Sequence, residues 1–151
     1  MSQASVQLII DSYCDADRAE TIALWQACGL VVPWNNPQRD IERKCADSPE
    51  LFFIGRADGR LVGSCMAGYD GHRGWIYFLA VHPDSQRRGY AARLVAHAEA
   101  RLRELGCPKI DLMVRDSNAA VIEFYRAIGY QRDPVVVLSK RLRDDEPHNL
   151  A

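Results

Sequence analysis

The stretch Trp75-Ile76-Tyr77-Phe78-Leu79-Ala80-Val81-His82-Pro83, continued by Asp84-Ser85-Gln86-Arg87-Arg88-Gly89-Tyr90-Ala91-Ala92, decides the fold. Its first seven residues are apolar on both faces, the pattern of a strand buried inside a sheet, and His82-Pro83 ends it. Ala91, Leu94, Val95, Ala98, Leu102 and Leu105 then recur at helical spacing until Gly106 supplies a stop. A central strand therefore runs through a short polar loop into a long amphipathic helix. The unpaired N–H groups of that helix's first turn lie next to the end of the strand.

Upstream, Leu51 to Ala57 and Arg60 to Tyr69 flank Asp58-Gly59, the preferred dipeptide of a tight type I′ turn, and read as an antiparallel hairpin. Before it, Val6 to Ile10 alternates as a strand and Asp15 to Cys28 is helical. Asn36 can cap and Pro37 can open a second helix over Pro37 to Asp47. Downstream, Lys109 to Val114 reads as a buried strand. Asn118 can cap a helix carrying Val121, Phe124, Tyr125 and Ile128 on one stripe, and Val135 to Leu142 reads as a last strand closing the sheet. The order β-α-α-β-β-β-α-β-α-β predicts an α/β (mixed α+β) fold: one mixed sheet with helices on both faces, a single domain over 6–142, and a frayed polar tail over 143–151.

Composition narrows the function. Of 151 residues, 48% are hydrophobic and 26% charged, which excludes wholesale disorder. The 19 Lys and Arg nearly cancel 20 Asp and Glu, so a net charge of −1 provides no general attraction to nucleic acid or anionic lipid, and any anion site must be local. No apolar run is long enough to span a membrane, and Met1 to Asp11 lacks the pattern of a signal peptide. Five cysteines without a Cys-x-x-Cys pair predict reduced thiols and a cytoplasmic protein. Four scattered histidines predict no metal site. Cys107, beside Gly106 and Pro108, reads as structural rather than nucleophilic.

Gln86-Arg87-Arg88-Gly89-Tyr90-Ala91 is an anion cradle in outline: a helix N-terminus carries about half a positive charge, and Gly89 lets a diphosphate approach the backbone. An ordinary strand-to-helix loop with solvated arginines is the alternative. The position of these residues resembles the acetyl-CoA motif Gln/Arg-x-x-Gly-x-Gly/Ala of the Gcn5-related N-acetyltransferase (GNAT) superfamily, matched by Gln86, Gly89 and Ala91. The likeness extends from Val6 to Leu142. Pro33-Trp34-Asn35-Asn36-Pro37, Gly68-Tyr69-Asp70-Gly71-His72-Arg73-Gly74 and Gly106-Cys107-Pro108-Lys109-Ile110 are similar, more narrowly, to the bacterial YpeA-type branch.

The resemblance implies a splayed central sheet and an N-acetyltransferase that moves an acetyl group from acetyl-CoA to a primary amine by direct attack. The acceptor would be a small metabolite, a peptide or a protein N-terminus, and the enzyme a monomer or homodimer. On the same basis Leu79, Ala80 and Val81 would pair with the pantetheine arm as though it were a strand. Main-chain groups of Gln86, Arg87, Arg88, Gly89, Tyr90, Ala91 and Ala92 would hold the diphosphate, and Asn118 would touch the arm while capping its helix. Tyr125 would protonate the departing sulfur, a packed core tyrosine being the alternative. Trp34, Asn35 and Tyr69 would line the acceptor pocket, although loop packing explains Trp34 equally well. The central strand offers Tyr77 to Ala80 where many relatives place a glutamate base. That departure keeps a second reading open, a non-catalytic acyl-CoA-binding or sensory module. Asp70 and His72 read as turn and surface residues rather than as a base.

Overall fold

A computed structural model describes residues 6–150. The part of the leader reading that falls on residues 1–5, and Ala151 of the tail, lie outside the described residues. Strands β1 (Ile9–Ser12), β2 (Phe52–Ala57), β3 (Arg60–Tyr69), β4 (Gly74–Val81) and β5 (Ile110–Leu112) form one sheet in chain order. The first three pairings are antiparallel and β4–β5 is parallel, the mixed sheet that the sequence predicts. Helices α1 (Arg18–Ala27), α2 (Pro37–Asp47), α3 (Tyr90–Glu104) and α4 (Ala119–Ala127) cover its two faces.

Local chemistry accounts for most element ends. Asn36 caps α2, its side-chain oxygen accepting from the N–H groups of Gln38 and Arg39 at 3.0 and 3.4 Å, with Pro37 in the first turn. Asn118 caps α4 by accepting from Val121 N–H at 3.3 Å. Asp58 and Gly59 both have positive φ, 53° and 75°, as a type I′ turn demands.

Alternation along β2 and β3, interrupted at Val62 where the register shifts between Gly55 and Arg56, sends neighbouring residues to opposite cores. Phe53, Val62, Cys65 and Ala67 pack with Leu94, Val95, Ala98 and Leu102 of α3 and with Tyr125 of α4. Phe52, Ile54, Leu61 and Met66 pack with Ile22 and Trp25 of α1 and Ile41 of α2. Burying each large side chain contributes about 1.5–3 kcal/mol, so both faces of the sheet stay covered. Lys44 of α2 adds a polar tie, its Nζ donating to the Ala67 carbonyl of β3.

Two expectations are corrected. Val135 to Leu142 does not close the sheet: it is extended chain without ladder pairing, and Val135, Val136, Val137 and Leu138 are 63–90% exposed. β5 is only three residues long, and a cleft of about 430 Å³ separates it and Tyr125 from Val135 and Val137. Four β-formers in a row cannot become a strand without a partner that offers its N–H and C=O groups. The tail, conversely, is not frayed. Asp145 pairs with Arg43 of α2 and accepts from Asn36 N–H, while the His148 ring hydrogen-bonds the Val32 carbonyl at 2.9 Å.

Candidate functional site

The site begins where β4 and β5 part. Their pairing runs only from Gly74↔Ile110 to Ile76↔Leu112, so β4 beyond Ile76 keeps β3 on one side and, among the described residues, has no strand on the other. This is the splay that the resemblance implies. The register with β3 also breaks there: Met66 faces Tyr77 and Ser64 faces Ala80, leaving Phe78 and Leu79 opposite Cys65 alone. This is a β-bulge, and Phe78 sits in it at φ 50°, a conformation that costs an aromatic residue about 1–3 kcal/mol.

Main-chain directions follow from alternation. Ala80 pairs with Ser64, and His82 N–H donates to the Val62 carbonyl at 2.8 Å, so Val81 turns both its main-chain groups and Leu79 its carbonyl to the open side. Cys28, the residue that caps the C-terminal end of α1, also reaches this edge, its thiol donating to the Val81 carbonyl at 3.3 Å. Ala80 departs from expectation, because its pairing faces β3 and its buried side chain packs on the α1 side. It presents nothing to the gap.

From the end of β4 the chain makes one 3-10 turn, Pro83–Ser85, and reaches Gln86, Arg87, Arg88 and Gly89, all exposed. Arg87 (φ 64°) and Gly89 (φ 76°) are both left-handed. Left-handed residues interspersed with ordinary ones turn successive N–H groups to one side, forming a concavity that suits an anion. α3 follows immediately, so the N–H groups of Tyr90, Ala91 and Ala92 lack intrahelical partners. No acidic side chain stands in that first turn, and a Cβ on Gly89 would meet nothing within 4 Å. Neither Arg87 nor Arg88 is in an ion pair among the described residues, which leaves both available to a phosphate. The Tyr90 side chain serves another purpose. It is buried, its hydroxyl donating to the Val6 carbonyl at 2.9 Å, and with Arg93 Nη2 on the Leu8 carbonyl at 3.0 Å it pins the helix start to the chain before β1. The cradle fits a diphosphate through its main chain and the two arginines.

On the α3 side of the gap Tyr125 is 7% exposed and shares a core with Cys65, Leu79 and Val81. Phe124 and Tyr130 flank its ring edge-on, with centroids 5.0 and 5.4 Å away. Burial drives its pKa well above the ordinary tyrosine value, so the phenol keeps its proton at neutral pH. Cys65, pushed up by burial to about 12, is likewise a neutral thiol and no nucleophile. Cys107 donates its thiol to the Lys109 carbonyl at 3.3 Å. Asn118 has its side-chain oxygen committed to the cap.

The structure divides the acceptor residues. Trp34, 52% exposed, and Asn35 lie in the loop between α1 and α2, where Asn35 Oδ1 accepts from Arg141 Nη2 at 3.3 Å. Tyr69 packs against the opposite core, beneath α3, and is not brought together with them, because its odd-numbered place on β3 follows Cys65 and Ala67. Tyr77, 45% exposed and stacked on Trp75 with centroids 6.5 Å apart, adjoins the bulge instead. Asp70 behaves as a turn residue. It accepts from the N–H groups of His72 and Arg73 at 2.8 Å and from Trp75 Nε1 at 3.2 Å, and these bonds hold its carboxyl below the usual range. Sequence reasoning missed the bulged Phe78, since nothing in a run of apolar residues marks a left-handed aromatic. Among the described residues no group of three or more His, Cys, Asp or Glu could hold a metal ion, and no helix is long and apolar enough to cross a membrane.

The profile of the acetyltransferase (GNAT) family matches residues 10–130. An acetyltransferase of Yersinia enterocolitica serotype O:8 is 47% identical over 133 residues, covering 88% of this chain and 94% of its own length. One of Sodalis glossinidius is 49% identical over 133 residues, with 87% and 94% covered. Among solved structures, the aminoglycoside N-acetyltransferase AAC(6')-Iy in complex with CoA superposes with a TM-score of 0.73 at 16% identity, covering 95% of this chain and all of its own. The ribosomal-protein-S18-alanine N-acetyltransferase of Escherichia coli gives 0.69 at 24% identity, with 82% and 77% covered. At those identities the two structures establish a shared fold.

Proposed function

Because the chain belongs to the acetyltransferase (GNAT) family, we propose that it moves an acetyl group from acetyl-CoA to a primary amine of a small metabolite, a peptide or a protein N-terminus. The reading treats 6–142 as one catalytic domain in a cytoplasmic monomer or homodimer that binds no nucleic acid. Its five free cysteines and balanced charge suit that setting.

One observation carries the proposal: the unpaired β4 edge at Leu79 and Val81 runs straight into the anion cradle at Arg87–Ala92. The thioester of acetyl-CoA supplies an acyl carbon that an uncharged amine can attack directly. Leu79 and Val81 hold an amide-bearing arm as an added strand would be held, and the cradle holds the diphosphate. Leu79 N–H donates to the carbonyl oxygen as negative charge gathers there. Tyr125, protonated at neutral pH, gives its proton to the departing sulfur as the C–S bond breaks and regains one from solvent as product leaves. Trp34, Asn35 and Tyr77 border the approach of the amine from the α1–α2 side, and the proton lost by the amine passes to solvent.

Calorimetric titration with CoA, followed by thiol release from acetyl-CoA with a panel of amines, tests the reading. Heat together with amine-dependent thiol release supports it. Heat without turnover for any amine identifies an acyl-CoA-binding module, and absence of both heat and thermal stabilisation defeats the assignment.

A further inference from the structure

Phe78 is held in its left-handed conformation by three converging contacts. Its ring stacks on Trp25, with centroids 4.0 Å apart and planes within 18°. Its carbonyl accepts from Ser64 Oγ at 2.8 Å. The same hydroxyl accepts from Trp25 Nε1 at 2.9 Å. Trp25 and Ser64 are both fully buried, on α1 and β3, so the arrangement spans the helix, the sheet and the bulge.

We propose that Trp25 and Ser64 are positioning residues for acyl transfer, a clamp that aims the Leu79 N–H into the gap between β4 and β5. The inference rests on the acetyltransfer reading above. Its physical basis is the rigidity of one peptide group. The Phe78 carbonyl and the Leu79 N–H belong to the same trans amide and point in opposite directions. Ser64 draws the carbonyl toward β3, and therefore the N–H faces away from β3, to the side that β5 has vacated.

The indole decides which way the serine bond runs. Trp Nε1 can only donate, so it occupies a lone pair of Ser64 Oγ and leaves the hydroxyl hydrogen for Phe78. Neither partner has solvent as an alternative. Without the clamp, the register break would still leave Phe78 and Leu79 outside the ladder, but nothing would select one orientation of their shared amide. The clamp thus turns a strained bulge into a fixed donor, the preorganisation that makes such donors effective.

Ser64→Ala, Ser64→Thr and Trp25→Phe test the clamp, with thiol release, CoA affinity by calorimetry, and hydrogen exchange of the Leu79 amide measured for each. Ser64→Ala is expected to lower kcat about ten- to a hundredfold. CoA affinity should stay within about twofold because the α3 cradle is untouched, and the Leu79 amide environment should change. Ser64→Thr keeps the hydroxyl and should restore kcat to within about threefold. Trp25→Phe keeps an aromatic stack but removes the donor, so it reports on the clamp even where Ser64→Ala fails to fold, and it should give an intermediate loss. Folded variants that retain wild-type kcat and an unchanged Leu79 amide overturn the clamp while leaving the acetyltransferase reading intact. A wild-type protein without amine-dependent turnover overturns both.

Discussion

A single buried phenol is the sharpest test at the scale of one residue. Tyr125 sits in the same core as Leu79, and burial keeps it neutral far above physiological pH. Its hydroxyl therefore stays protonated across the whole range in which an amine acceptor is being deprotonated. Tyr125→Phe should cut kcat for thiol release about ten- to a thousandfold while CoA affinity stays within about twofold. Steady-state kinetics beside calorimetry check this, and an unchanged kcat would reduce Tyr125 to a packing residue. The buried place of Tyr125 beside Val121 and Ile128 was legible from helical spacing. Gly89 was legible as the glycine just before α3, while its left-handed φ of 76° emerged only in the structure. Tyr69 was misplaced, since the parity of its position on β3 cannot be tied to either face until the register with β2 and β4 is known. Phe78 could not be read at all: its backbone is dictated by Trp25 and Ser64, 53 and 14 residues away in sequence for the one and the other, respectively.

Whole elements were legible where their signals are local. Asn36-Pro37, Asn118 and Asp58-Gly59 each act within four residues, and each marks an element end in the structure. Val135 to Leu142 failed because a strand is a pairwise object, and β-propensity says nothing about whether a neighbour will present an edge. The structure makes a discriminating claim here. Val135 and Val136 are 72% and 84% exposed, although adjacent residues of a packed strand would point to opposite faces. Val135→Lys combined with Val136→Lys should therefore shift the thermal midpoint by no more than about 2 °C, within the roughly 0.5 kcal/mol typical of surface substitutions. Scanning calorimetry decides it. A loss of more than about 5 °C would mean that one of these positions packs inside the sheet.

Across the whole molecule, the two cores hide several groups that ionise only at high pH, and this makes alkaline stability predictable in sign. Burial raises Cys65 from its ordinary value near 9 to about 12 and Tyr13 from 10 to about 12, and lifts Tyr125 and Tyr130 above the ordinary tyrosine value as well. In each case the folded state holds the proton more tightly than the unfolded chain. The contribution to stability is therefore complete below the unfolded pKa, and it is lost as pH rises through the window between the unfolded and folded values. The thiols open that window first, near pH 9, since burial also raises Cys28 and Cys45, and the tyrosines join it near pH 10. The thermal midpoint should hold level from pH 7 to about 8.5, fall gently from about 9, and fall more steeply beyond about 10. Cys65→Ala isolates the contribution of that thiol: its midpoint should start lower, because a fully buried side chain has been shortened, and then fall less steeply between about pH 9 and 10 than the parent's, Cys28 and Cys45 keeping a residual slope. A variant whose decline between about pH 9 and 10 is as steep as the parent's would show that Cys65 does not contribute to the first limb, and that the core around the β4–β5 gap admits water more freely than its burial implies.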